Sequence, residues 1–163
     1  MKKLIYTLLI IIALTNNSFA AGSSSDSDST PKASDYTKAK NLINAAKKYE
    51  KKGKIDKAQE RYAKAQKLLL KSNEIKPLQA DTLNYLGFTT RKLGDYDGGE
   101  KFYLQGLQIE PNHNGINEYL GELYVTTNRM DMAKERLEVL KTCNCEEYEE
   151  LKEIIDGTKK SKY

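Results

Sequence analysis

The chain is 163 residues long, with 31% charged and 39% hydrophobic residues, 11 tyrosines, no tryptophan and a formal net charge of +4. That length allows one ordinary core and no comfortable second domain, and the composition suits a helix-rich globular chain rather than a disordered one. So small a net charge argues against nucleic acid as the main partner, because neutralising phosphates needs a concentrated basic face.

Residues 1–20 read as a secretory signal peptide. Met1-Lys2-Lys3 is basic, Leu4 to Leu14 is an apolar run, and Ser18-Phe19-Ala20 is a small-x-small site. The run is about half the roughly 20 apolar residues a spanning helix needs. Cleavage after Ala20, with no stable membrane span afterwards, is therefore expected, and no cysteine follows to accept a lipid. Cleavage lowers the formal charge from +4 to 27 − 2 − 23 = +2. Residues 21–34, with the stretch "GSSSDSDST", read as a flexible Ser-rich linker, because small and acidic residues bury too little surface to offset ordering. Order is expected from Ser34-Asp35 onward, giving a helical domain over 35–158 and a basic tail at 159–163.

Within that domain Tyr85-Leu86-Gly87 recurs as Tyr119-Leu120-Gly121, an offset of 34 residues. At the same offset Lys101 meets Glu135 and Pro111 meets Cys145. Self-similarity of this period points to two helices and a tight turn repeated along the chain. Residues 80–113 resemble a tetratricopeptide repeat nearly throughout: Leu83, Leu86 and Gly87, the turn "KLGDY", Tyr103, Leu107 and Pro111-Asn112. Residues 114–147 resemble it less closely, with Asn117 at a large apolar slot and Cys145 replacing the final proline. A first repeat at about 39–79 places Gly53 in the turn and Ala58, Tyr62 and Ala65 in the second helix, but Pro77 comes seven residues late. The simplest account is a second helix lengthened by about two turns. A capping helix over 146–156 is expected to cover the apolar end of the stack. The resemblance thus implies an all-α tetratricopeptide-repeat solenoid of about three helix-turn-helix units.

The same resemblance gives a reason for glycines inside helices, each of which costs about 1 kcal/mol relative to alanine. Gly87 of the first helix is expected to face Gly99 and Gly106 of the second, so that the axes approach closely. Gly98 is expected only to ease the helix start.

No catalytic constellation stands out. The single histidine, His113, falls in the link between helix pairs and reads as a solvated loop residue with no nucleophile beside it. No phosphate-binding glycine loop follows a strand, so an enzyme, a cofactor and a metal are not expected. Cys143-Asn144-Cys145 is the one reactive motif. Three readings of it stay open: a disulfide tying the last repeat to the cap, two inert thiols, and a redox or metal site.

The chain resembles small exported tetratricopeptide proteins of Gram-negative bacteria, which implies a periplasmic, monomeric interaction module with a protein or peptide of the cell envelope as partner. Family members bind along the concave face lined by the first helix of each pair. Carried onto this chain, the groove positions are Lys40, Ile43, Lys47, Asn84, Phe88, Arg91, Glu118 and Glu122. Phe88 stands off the helical core stripe and is expected as an exposed anchor or as an ordinary surface aromatic. The groove is expected to run from basic (Lys40, Lys47, Lys51, Arg91) to acidic (Glu118, Glu122). Ile43, Lys47 and Tyr85 occupy slots where the family's chaperone-tail clamp needs other residues, so a chaperone-tail receptor is not expected. The alternative reading is a thiol-disulfide or metal-handling protein acting through Cys143 and Cys145.

Overall fold

The computed structural model describes residues 34–161. The expected signal peptide, and the expected linker up to residue 33, lie outside the described residues. Seven helices make up the described chain: α1 Asp35–Glu50, α2 Ile55–Ile75, α3 Ala80–Lys92, α4 Tyr96–Ile109, α5 Asn114–Thr126, α6 Met130–Leu140 and α7 Glu146–Ile155. They pair as hairpins α1–α2, α3–α4 and α5–α6, with α7 packed on α5 and α6. Because α2 also packs on α3 and α4 on α5, the hairpins stack into an all-α solenoid of tetratricopeptide type. Ser34, of the anticipated polar pair, caps α1, its hydroxyl accepting from Thr37 N–H at 3.1 Å.

The three hairpin turns close in one way. A single residue takes left-handed backbone in each: Gly53 (φ +67°), Gly94 (φ +96°) and Asn128 (φ +58°). The next N–H then donates to the carbonyl five residues back: Lys54 to Tyr49 at 2.9 Å, Asp95 to Thr90 at 3.2 Å, and Arg129 to Tyr124 at 2.7 Å. This Schellman closure needs positive φ, which glycine adopts freely and asparagine tolerates. The turn residues are 94 − 53 = 41 and 128 − 94 = 34 positions apart. The excess of 7 equals the difference between α2, at 21 residues, and α4, at 14. The insertion is thus absorbed as helix, and Leu69 in the extended part is fully buried.

Two apolar clusters fill the stack. One joins α1, α2 and α3 through Ala39, Ile43, Ala46, Tyr62, Leu83 and Leu86; the other joins α4, α5 and α6 through Tyr103, Ile116, Leu120, Leu123 and Ala133. Each large side chain so buried contributes about 1.5–3 kcal/mol.

The glycines do more varied work than the sequence reading gave them. A Cβ on Gly99 would lie 3.0 Å from the Gly87 carbonyl oxygen and 3.1 Å from Arg91 Cβ, so backbone does meet backbone there. Gly87 instead makes room for an aromatic ring: a Cβ would lie 2.5 Å from Tyr103 Cε1. Gly106 does not oppose Gly87. Its nearest neighbour is Ile116 Cδ1 of the next hairpin, so it serves the stacking of one pair on the next. Gly98 sits where the Asp95 carboxylate caps α4, accepting from Gly98 N–H at 2.8 Å. At the end of the stack Gly121 repeats the Gly87 device with Leu151 of α7, whose Cδ2 would be 2.5 Å from an added Cβ. The connection before α7 carries a disulfide between Cys143 and Cys145, with Cα atoms 5.2 Å apart.

Candidate functional site

The face built from the first helices α1, α3 and α5, continued by α7, holds the predicted groove positions. On α1, Tyr36, Lys40 and Lys47 fall on one side by helical spacing. Lys40 Nζ lies 5.4 Å from the Tyr36 ring centre and 5.8 Å from that of Tyr85, and the two rings meet edge-on at 5.9 Å. One step along, Lys47 Nζ sits 4.7 Å over the Phe88 ring and donates to the Tyr119 hydroxyl at 3.4 Å. Such ammonium–ring contacts contribute about 0.5–2 kcal/mol, more as water is excluded. Burial, then the Asp81 charge, pushes the Tyr36 hydroxyl up to about 12, and the same causes raise Tyr85. Tyr119 is raised chiefly by burial, then by the Glu118 charge. These phenols stay neutral donors at physiological pH.

Beneath them lies a buried ion pair. Arg91 Nη2 is 3.2 Å from Glu122 Oε2 with both side chains at 0% exposure, and Arg91 Nη1 donates to the Tyr119 carbonyl at 2.7 Å. Desolvating two charges is tolerated only when geometry and extra hydrogen bonds compensate, and the Tyr119 carbonyl supplies such a bond. The pair locks α3 to α5.

Six of the eight expected groove residues are therefore not open lining. Ile43, Asn84, Phe88, Arg91, Glu118 and Glu122 are all buried, and only Lys40 and Lys47 are half-exposed. Phe88, expected as an exposed anchor, is 1% exposed and packs on Tyr62 at 5.7 Å and Tyr119 at 5.2 Å. The reason lies in the stacking. A position off the core stripe of its own hairpin is still covered when it sits on the central helix, with α1 on one side and α5 on the other. The surface left open consists of Tyr36, Lys40, Lys47, Tyr85 and Tyr119, each half-buried. Tyr85 and Tyr119 share one repeat slot, a signal present in the 34-residue offset but not read as a site.

The basic-to-acidic run expected along the groove does not lie on an open surface, since Arg91 pairs with Glu122 in the interior and Glu118 is buried too, but carboxylates do gather at the α5–α7 end. At the α5–α7 end one carboxylate oxygen from each of Glu118, Glu122 and Glu150 lies within 4.8 Å of the others. A cavity of about 240 Å³ opens beside them, lined by Glu118, Tyr119, Glu146, Glu147 and Glu150. At the opposite end a cavity of about 620 Å³ lies where α2 overshoots, bounded by Asp35, Tyr36, Lys71, Ile75, Gln79 and Asp81. There Lys71 Nζ is 2.9 Å from Asp35, and its hydrogen bond holds the Asp35 carboxyl below its ordinary range.

His113 is not the solvated loop residue it was expected to be. It is the N-cap of α5, its Nδ1 accepting from Ile116 N–H at 3.2 Å while Nε2 faces Asp81 Oδ1 at 3.2 Å. Asn117, fully buried at an apolar slot, donates to the Pro111 and His113 carbonyls at 3.0 and 3.1 Å and so secures the same junction. Neither cysteine belongs to a three-residue ligand group among the described residues.

Residues 80–113 match the family model described as Tetratricopeptide repeat. Among curated proteins nothing matches the chain. Among solved structures, the first TPR of Spaghetti (RPAP3) bound to HSP90 peptide SRMEEVD is 21% identical, with a TM-score of 0.48 over 78% of this chain and 98% of that one. The first TPR domain of the human RPAP3 protein, also 21% identical, gives a TM-score of 0.47 over 77% and 98%. Among the described residues no helix is long and apolar enough to cross a membrane.

Proposed function

With residues 80–113 a tetratricopeptide repeat inside a solenoid of matching hairpins, we propose that this chain is an exported interaction module that binds an envelope protein or peptide along its first-helix face. Tetratricopeptide repeats are non-catalytic interaction modules, and the chain is an interaction module rather than an enzyme. The observation that carries the site is the half-buried ladder of Tyr36, Lys40, Tyr85, Lys47 and Tyr119. Tyrosine offers large contact area and a hydroxyl at low entropic cost, which suits an adaptable binding strip. Export to the periplasm is supported by the basic, apolar and small-residue pattern of residues 1–20 and by the Cys143–Cys145 bond, which suits an oxidising compartment. The cysteine pair is better read as a clasp before α7 than as a metal centre, since no further ligand converges on it among the described residues.

The binding strip is tested by selecting displayed random peptides on the full chain and re-measuring the winners on Tyr85→Ala and Lys40→Glu. Binding weakened about tenfold by either change supports the strip. Winners indifferent to both would place recognition elsewhere. Recovery of the mature chain, beginning near Ala21, from the periplasmic fraction would test export, and a full-length cytoplasmic chain would overturn it.

A further inference from the structure

The Cys143–Cys145 bond joins residues only 2 apart in sequence. A cross-link stabilises a fold mainly by restricting the unfolded chain, and the restriction grows with the loop it closes. This bond therefore adds less to overall stability than one joining distant segments would. Both cysteines are half-buried, and Thr142, Asn144 and Glu146 beside them are exposed, so an attacking sulfur can reach the bond.

The bond sits where the chain turns from α6 into α7. Cys143 N–H donates to the Leu140 carbonyl at 3.0 Å, Asn144 takes left-handed backbone (φ +49°), and Cys145 is the extended N-cap of α7. Ser34, Asp95 and His113 cap their helices with a side-chain acceptor, but Cys145 makes no such bond. Helix α7 is also only 10 residues long, too short to persist alone, and among the described helices it packs on α5 and α6 at the end of the stack. Leu151 and Ile154 are its buried residues, Leu151 against Gly121. Near its far end Lys159 pairs with Glu150 and Glu153 across partly exposed surface, which contributes little. A lightly held helix thus begins at a bond that chemistry can open.

We propose that Cys143–Cys145 is an exchangeable disulfide that a dithiol reduces in the folded chain, and that its reduction releases α7 from the end of the stack. One thiolate of the dithiol attacks Cys143 Sγ, the sulfur–sulfur bond breaks, and its electron pair leaves on Cys145. The N-terminal dipole of α7 favours that negative sulfur, against the opposing carboxylates of Glu146, Glu147 and Glu149 in the same turn. The second thiol of the dithiol then displaces Cys143. Two electrons and two protons have passed to the cysteine pair, and the dithiol has become a disulfide. With its first turn unconstrained, α7 opens more often and uncovers Gly121 and the apolar cluster against which Ile155 packs. The proposal does not rest on the binding strip.

The test starts from the oxidised full chain treated with dithiothreitol, the thiols being counted by alkylation and mass spectrometry. The folded chain is expected to be reduced within about threefold of the rate in denaturing urea. Reduction more than about tenfold slower in the folded chain would mean a bond sealed by the fold and would overturn the exchange. Hydrogen exchange then compares the oxidised chain, the reduced chain and the double variant Cys143→Ser/Cys145→Ser. Amides of α7 are expected to exchange about tenfold faster in the reduced chain and in the variant, with α3 and α4 within about twofold of the oxidised chain. Equal α7 exchange in the oxidised and reduced chains would overturn the release. Faster exchange spread evenly from α1 to α7 would make the bond a general staple and overturn it as well. The reduced chain carries the native residues, so the comparison holds even where the serine variant fails to fold.

Discussion

The first and middle hairpins solve one packing problem with different residues. Shifting by 41 positions superposes Ala46 on Gly87, Glu50 on Arg91, Ala58 on Gly99 and Tyr62 on Tyr103. The two tyrosines are both fully buried. Opposite Tyr62 the chain uses methyl groups, and opposite Tyr103 it uses hydrogens. The first hairpin accommodates two methyls that the middle one excludes, since a Cβ on Gly99 would press on the Gly87 carbonyl at 3.0 Å. The polar slot differs too. Glu50 accepts from the Tyr62 hydroxyl at 2.8 Å and pairs with Lys92 at 2.5 Å, whereas Arg91 turns away to Glu122 on α5. Both slots thus tie their hairpin to the next, Glu50 through a partly exposed pair with Lys92 of α3 and Arg91 through a fully buried pair with Glu122 of α5. In a solenoid, where each unit touches only adjacent ones, the central unit has two junctions to hold.

The largest expected effect follows from that difference. Arg91→Met strips a fully buried carboxylate of its guanidinium partner and is expected to cost about 3–5 kcal/mol in urea unfolding. Glu50→Gln, in the equivalent slot at 26% exposure, keeps a hydrogen-bond acceptor and is expected to cost about 1 kcal/mol. Similar losses at the two sites would mean that the α3–α5 junction carries no special load. Next comes the helix crossing. Gly87→Ala drives a methyl into the Tyr103 ring, which is fully buried. A net loss of about 1–3 kcal/mol is expected despite the helix propensity gained. Its counterpart Ala46→Gly removes a methyl from the roomier crossing and is expected to cost about 1 kcal/mol. If Gly87→Ala unfolded no earlier than the parent, the close approach assigned to the middle hairpin would be wrong.

The repeat was legible because its turns and small slots recur as residue identities: Gly53 and Gly94 mark two turns, and Tyr-Leu-Gly marks two first helices. The lengthened α2 was legible as well, since helix absorbs seven extra residues in two turns. The third turn hid in Asn128, which takes the same backbone without advertising it. What the sequence could not show was coverage. Helical periodicity reports which side of a helix faces its own partner, and it places Phe88 outside that stripe. Only the stacking of α1 and α5 against α3 puts the ring under Lys47 and between Tyr62 and Tyr119. Arg91 and Glu122 are placed in the groove by the family resemblance, and their 31-residue separation gives no sign that they meet. The half-buried tyrosines escaped notice because a tyrosine at a helix face reads equally as core.

The finest test compares the two equivalent tyrosines by removing one oxygen atom from each. The Tyr62 hydroxyl donates to Glu50, so Tyr62→Phe is expected to cost about 1 kcal/mol. The Tyr103 hydroxyl is buried with no hydrogen-bond partner among the described residues, so Tyr103→Phe is expected to be neutral or to gain up to about 1 kcal/mol. Burial raises the pKa of both phenols above the ordinary value, joined at Tyr62 by the Glu50 hydrogen bond. A phenol whose folded pKa exceeds its unfolded one, about 10, supports the fold fully below that pH. Above it the unfolded chain releases a proton that the folded one retains, and stability falls by about 1.4 kcal/mol per pH unit for each such group. Each phenylalanine variant should therefore flatten the alkaline limb of the stability profile by one such increment, although the two differ in sign at neutral pH. If Tyr62→Phe and Tyr103→Phe shifted neutral stability alike, the pairing that separates the hairpins would not exist in solution.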